Sequence, residues 1–298
     1  MLEQATNLLL SNQNSDGGFG AVAGKQSNTE ATAFATLALQ SIPAMAMNWD
    51  KAKAWLVKRQ YPDGSWPLND EAKGPSWATA LAIIALSASE DQGERIVKAG
   101  NWALAQEGGR PGLLAQMILF VMRQKRAVRL NQDLIGWPWT TGNFSWVEPT
   151  SYFMIAVKKL KQQLPNQTVK ERIQQAELMI YDRMCAGGGW NYGNAEVYEE
   201  NLWPYPDTTA LALIATQEHR ERKENQLSLG VLNQLAKQTD SGLALSWAAI
   251  CGSIYGQDVG ALRNQLVQRF AKTQFLGETK ALALTILALG GETRYFRI

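Results

Sequence analysis

The sequence predicts an all-α protein: six helical hairpins closing into one ring that takes in residues 1–298. Three observations predict it. A Gly-rich turn ending in an aromatic recurs, a short motif that opens an apolar run recurs behind it, and the segments in between have a mixed helical period. Alternating strand patterns are scarce.

The turn appears first as Gln13-Asn14-Ser15-Asp16-Gly17-Gly18-Phe19 and returns as Gln60-Tyr61-Pro62-Asp63-Gly64-Ser65-Trp66. It comes again, without the Gln, as Met184-Cys185-Ala186-Gly187-Gly188-Gly189-Trp190. Behind the turns, Glu30-Ala-Thr-Ala, Trp77-Ala-Thr-Ala, Glu148-Pro-Thr-Ser and Asp207-Thr-Thr-Ala each open an apolar run, with Asp240-Ser-Gly-Leu a weaker copy. In all five, the residue eight positions after the first is alanine: Ala38, Ala85, Ala156, Ala215 and Ala248. ALALTILALGG, residues 281–291, opens near Glu278 as a sixth copy whose register the sequence does not fix. Residues 51–60, 169–184, 226–237 and 262–271 instead mix polar and apolar side chains at helical spacing. A helix apolar all round is buried on every side and one with a polar face looks outward, so the repeating unit is an outer helix, a turn and an inner helix. Stacked repeats hide their apolar faces in one another. The longest interval, Trp77 to Glu148, has room for one extra helix near residues 112–123.

With 46% hydrophobic residues the chain can bury a substantial core. Lys and Arg total 29 against 27 Asp and Glu, a balance of +2 that provides no field for nucleic acid. There is no basic start followed by an apolar leader, and no apolar run reaches the roughly 18 residues of a membrane span. The expectation is a cytoplasmic protein without a transmembrane segment; peripheral contact with a membrane surface and the oligomeric state stay open. Two cysteines, Cys185 and Cys251, do not make a disulfide framework in a chain of this length.

The Gln...Asp-Gly-Gly-Phe and Gln...Asp-Gly-Ser-Trp turns resemble the QW repeats of squalene and oxidosqualene cyclases. The hairpin pattern resembles the α/α toroid, an (α/α)6 barrel, shared by those enzymes and the β subunits of protein prenyltransferases. The resemblance extends over nearly the whole chain. It implies a fold more firmly than a chemistry, since a fold does not fix a function.

Cyclases of this kind carry an acid two residues before Thr-Ala, and aligning Thr209-Ala210 with that pair implies Asp207 as the proton donor. Protonating an alkene needs a carboxylic acid kept neutral by apolar surroundings or by a second carboxylate. Tyr205 and Thr208 stand where the strongest form of the motif has flanking acids. The repeat supplies a structural alternative: Glu30, Glu148 and Asp240 recur in the same column, and an acid in the first turn of a helix is favoured by its free N–H groups and dipole. If the inner helices run the same way, Asp207, Glu148 and Glu30 converge on one mouth of the ring.

Phe19, Trp66 and Trp190, in the turns, read as packing residues. Trp77, Trp139, Trp146, Tyr152, Trp203, Tyr205 and Trp247, with Trp137 and Phe144, lie at inner-helix starts or in the loop GWPWTTGNFSW. Either they wall a central cavity that holds a hydrocarbon and stabilises cations over ring faces, or they plug the ring. Prenyltransferase-type zinc is not expected. The single histidine, His219, lies in the charged tract QEHRERKEN, and neither cysteine has ligand spacing around it. Three function classes remain: a cofactor-free, metal-independent cyclase or isomerase acting on an isoprenoid-like hydrophobic small molecule, a toroid that binds a lipid or peptide tail, and a scaffold with a filled centre.

Overall fold

Apolar side chains on all sides of a helix can be buried only if other elements surround it, and among the described residues every second helix is built that way. The computed structural model describes residues 1–109, 130–131 and 133–298, and among them twelve α-helices alternate between two types. The inner ones are α2 (Thr29–Gln40), α4 (Ala78–Leu86), α6 (Val147–Lys159), α8 (Pro206–Ala215), α10 (Gly242–Ile254) and α12 (Thr279–Gly290). Every residue of α4 is buried. The outer ones are α1 (Leu2–Leu10), α3 (Ala46–Arg59), α5 (Gly93–Ala105), α7 (Asn166–Asp182), α9 (Lys223–Gln238) and α11 (Gly260–Thr273). These bury one stripe each; in α11 it is Leu266 and Phe270.

Each inner helix packs on the next, and α12 packs back on α2, so six inner helices close a ring. Each outer helix lies behind the inner helix that precedes it, with α1 behind α12. This is the six-hairpin architecture expected from the repeats. The extra helix expected at residues 112–123 lies outside the described residues. A small antiparallel hairpin, β1 (Glu196–Val197) and β2 (Glu200–Asn201), sits in the turn before α8.

The repeated motifs are the joints of this ring. Thr32 Oγ1 accepts the backbone N–H of Phe19, Thr79 that of Trp66, Thr150 that of Trp137 and Thr209 that of Trp190, each at 2.9 Å. The Thr of each inner-helix motif therefore clamps the turn leading into it and satisfies a buried donor. The indoles of Trp66, Trp137 and Trp190 donate to Leu56 O, Ala103 O and Ile180 O, in the last turn of the preceding outer helix, where carbonyls lack helical partners. Trp137 thus fills the turn position of its repeat rather than facing the centre, where the sequence had grouped it. Gln13 donates to Gly17 O and Asn48 O, and Gln60 to Gly64 O and Arg95 O, so each Gln ties its turn to the next outer helix.

Candidate functional site

The inner helices begin on one face of the ring, and in four of them an N–H at the start reaches the turn of a neighbour. Thr29 N donates to Leu68 O, Trp77 N to Trp139 O, Val147 N to Tyr192 O and, closing the ring, Thr279 N to Ala21 O. The second residues of α2, α6, α8 and α12 are Glu30, Glu148, Asp207 and Lys280, and they share this mouth.

Lys280 Nζ lies 2.9 Å from Glu30 Oε1 and 3.4 Å from Glu148 Oε1. Burial pushes the Glu148 carboxyl above its usual range, and the charges of Glu30 and Asp207 add to the push against the pull of Lys280. Burial also opposes the charge on Lys280, but Tyr152, Glu30 and Glu148 hold its ammonium well above the ordinary lysine range. Asp207 is half-buried and makes no hydrogen bond or ion pair with the described residues, so it does not cap α8. Its charge falls on Glu148 and Tyr192. Glu278 is the cap of α12, accepting the N–H groups of Lys280 and Ala281. Asp240 lies before α10, exposed and paired with Arg269, so it leaves the column the sequence gave it.

Below the charges is an aromatic floor. Trp77 meets Trp139 edge-on at 4.8 Å between ring centroids and stacks on Tyr152 at 5.7 Å. Phe34, Tyr152 and Trp247 come from α2, α6 and α10, alternate members of the ring, and meet at 6.2–6.3 Å on its axis. Phe296 closes on Trp247 from the C-terminal segment at 4.9 Å, held by Gln217, which donates to its carbonyl. Tyr152, Phe34 and Phe296 are wholly buried and Trp247 is 2% exposed. The central cavity expected for a hydrocarbon is therefore occupied at this depth: three large rings from alternate helices are enough to fill the bore of a six-helix ring. The Tyr152 hydroxyl is buried beside the Lys280 ammonium.

The remaining aromatics separate. Tyr205 is the N-cap of α8 and half-exposed, its ring 5.3 Å from that of Tyr192. Trp203 is 84% exposed on the loop before α8. Trp146 lies to one side, over Gly193, in a cavity of about 240 Å³ that it shares with Leu134, Phe144 and Arg183. Lys280 and Tyr192 carry the mouth's geometry without having been flagged by the motifs. Aligning Thr279 with Thr29, each of which donates its hydroxyl to a carbonyl of a neighbouring turn, brings Lys280 into the column of Glu30.

Among the described residues no group of three His, Cys, Asp or Glu side chains could hold a metal ion. His219 faces Glu177 at 3.1 Å, at the end of the ring away from the mouth. Cys185 and Cys251 are both buried, and burial pushes both thiols up. No helix among the described residues is long and apolar enough to cross a membrane.

Comparison with solved structures decides the fold. The type II terpene cyclase MstE from Scytonema superposes with a TM-score of 0.60 at 14% identity, covering 99% of this chain and 98% of that one. The chain has the α/α-toroid fold of the terpenoid cyclases and protein prenyltransferases. The toroid of a Candida albicans protein geranylgeranyltransferase-I complexed with GGPP matches at a TM-score of 0.52 and 14% identity, covering 74% of this chain and 61% of that chain. A protein described as a novel alpha-amylase from Clostridium perfringens matches at 0.63 and 12% identity, covering 98% of both chains. Toroids of one shape thus host unrelated chemistries. No protein-family model and no curated relative matches the sequence.

Proposed function

We propose that this protein is a terpenoid-cyclase-like toroid that receives a hydrophobic, isoprenoid-like molecule at the mouth of the ring and protonates it there, with Glu148 as the acid. One observation carries the reading. A carboxyl that burial favours in its protonated form stands over an aromatic floor, while the carboxylate beside it is tied to Lys280. The proton passes from Glu148 to one alkene carbon and leaves the adjacent carbon cationic. Faces of Trp77, Trp139 and Tyr152 attract that charge, an interaction worth up to about 2 kcal/mol when dry. Loss of a proton to Glu30 or Asp207 completes an isomerisation or cyclisation with no further reactant. Asp207, the donor implied by the resemblance, becomes a charge that opposes ionisation of Glu148. Structures of MstE with geranylgeranyl dihydroxybenzoate as substrate support an isoprenoid as the ligand class.

The filled axis favours a second reading, a toroid that holds a lipid or peptide tail at its mouth without converting it. Incubation of the purified protein with prenyl alcohols of several lengths, followed by mass spectrometry, separates the two. The acid reading expects an altered product from the wild type and unaltered, retained ligand from Glu148→Gln. Unaltered ligand from both gives the second reading, and no retained ligand from either rejects the mouth as a prenyl site.

A further inference from the structure

We infer that the mouth selects a ligand whose polar end is an organic cation, an ammonium group, and turns away anionic head groups; this rests on the mouth being the binding site. Four carboxyl groups, those of Glu30, Glu148, Asp207 and Glu278, surround it, and the cation that the described residues place among them, Lys280, is already engaged by two of them. Asp207 is the half-buried carboxylate left without a partner among the described residues, and beside it the rings of Tyr192 and Tyr205 stand 5.3 Å apart, inclined by 36°. A carboxylate next to two accessible ring faces is the arrangement that attracts an ammonium. The wholly buried hydroxyl of Tyr152 lies next to Lys280, Glu148 and Glu30 in the same cluster.

Helix N-termini ordinarily favour anions through their free N–H groups and dipoles, and six helices start here. In five of the six at least one opening donor is taken, and α8 carries Asp207 itself in its first turn. Asn28, Ser241 and Glu278 side chains accept from Ala31, Ala244, Lys280 and Ala281, while Thr29, Trp77, Val147 and Thr279 donate to neighbouring turns. An arriving anion finds acids and rings instead. Geranylgeranyl dihydroxybenzoate and GGPP, the ligands of two structural neighbours, are both acids and are repelled by this charge arrangement.

Binding of geranylgeranylamine, geranylgeraniol and geranylgeranyl diphosphate to the full chain, measured by tryptophan fluorescence at pH 7 in low and high salt, tests the inference. The amine should bind about tenfold more tightly than the alcohol, and the diphosphate about tenfold more weakly, both gaps narrowing with salt. In Asp207→Asn the preference for amine over alcohol should shrink. If the alcohol binds and the amine is no tighter, or if the diphosphate matches the alcohol, the charge selection is wrong and the mouth reading stands. If none of the three binds, the mouth reading falls and this inference with it.

Discussion

Lys280 Nζ and Glu30 Oε1, 2.9 Å apart, join the last inner helix of the ring to the first. The two residues come from opposite ends of the chain and meet because both are the second residue of an inner helix. Glu148 reaches the same ammonium from across the mouth.

Lys280→Met should destabilise the fold by about 2–4 kcal/mol at pH 7. Removing one member of a buried ion pair strands the other, and here the Glu30 carboxylate is stranded and Glu148 loses the same neighbour, with partial solvent access lowering the cost. Urea denaturation should give this loss at neutral pH and a smaller one near pH 4, where the carboxylates take up protons. A loss under 1 kcal/mol at pH 7 would mean that the triad does not hold the ring closed.

Glu148 should titrate above the ordinary 4.5 of a glutamate, because burial and the charges of Glu30 and Asp207 outweigh Lys280. A carboxyl that binds its proton more tightly in the fold than in the unfolded chain stabilises the fold while protonated. That contribution is complete below the ordinary value and is lost as pH rises through the folded one. Glu148→Gln should therefore gain stability relative to the wild type as pH rises from 4 towards 8. Carboxyl NMR placing the Glu148 midpoint at or below 4.5 would remove the basis for its acid role.

Thr79→Val and Thr150→Val should each cost about 1–3 kcal/mol, the penalty of a buried donor left unpaired. The donors are the backbone N–H groups of Trp66 and Trp137. The clamps lie in different hairpins, so the double variant should lose nearly the sum. Faster amide exchange at Trp66 alone in Thr79→Val would show the local origin. A neutral Thr79→Val would refute the clamp.

Gly64→Ala should be more damaging than Gly74→Ala. Both glycines have a positive φ, +100° and +108°, so each substitution carries about 1–2 kcal/mol of backbone strain. Only at Gly64 would the added Cβ meet backbone, 2.8 Å from Lys98 C and O on α5, whereas nothing lies within 4 Å at Gly74. Thermal melts in which the two variants are equal would mean that the turn does not seat tightly on α5.

Much of this protein was settled by the sequence alone, because it is local. Glycines with positive φ at Gly17 and Gly64, the aromatic two residues on, the Thr of each motif and the apolar period of the following run lie within one hairpin and can be read in order. Tertiary structure decided the rest. Lys280 differs in charge from the acids of its column, so only ring closure reveals it beside Glu30. Asp207 and Glu148 share a motif position, yet it is Glu148 that ring closure sets beside Lys280 and desolvates, which depends on what the neighbouring elements cover. Whether the centre is open or filled was also beyond the sequence. Phe34, Tyr152 and Trp247 have the composition of a pocket wall and of a plug alike, and three rings on alternate helices become a plug only once a ring of six sets the distance across which they meet.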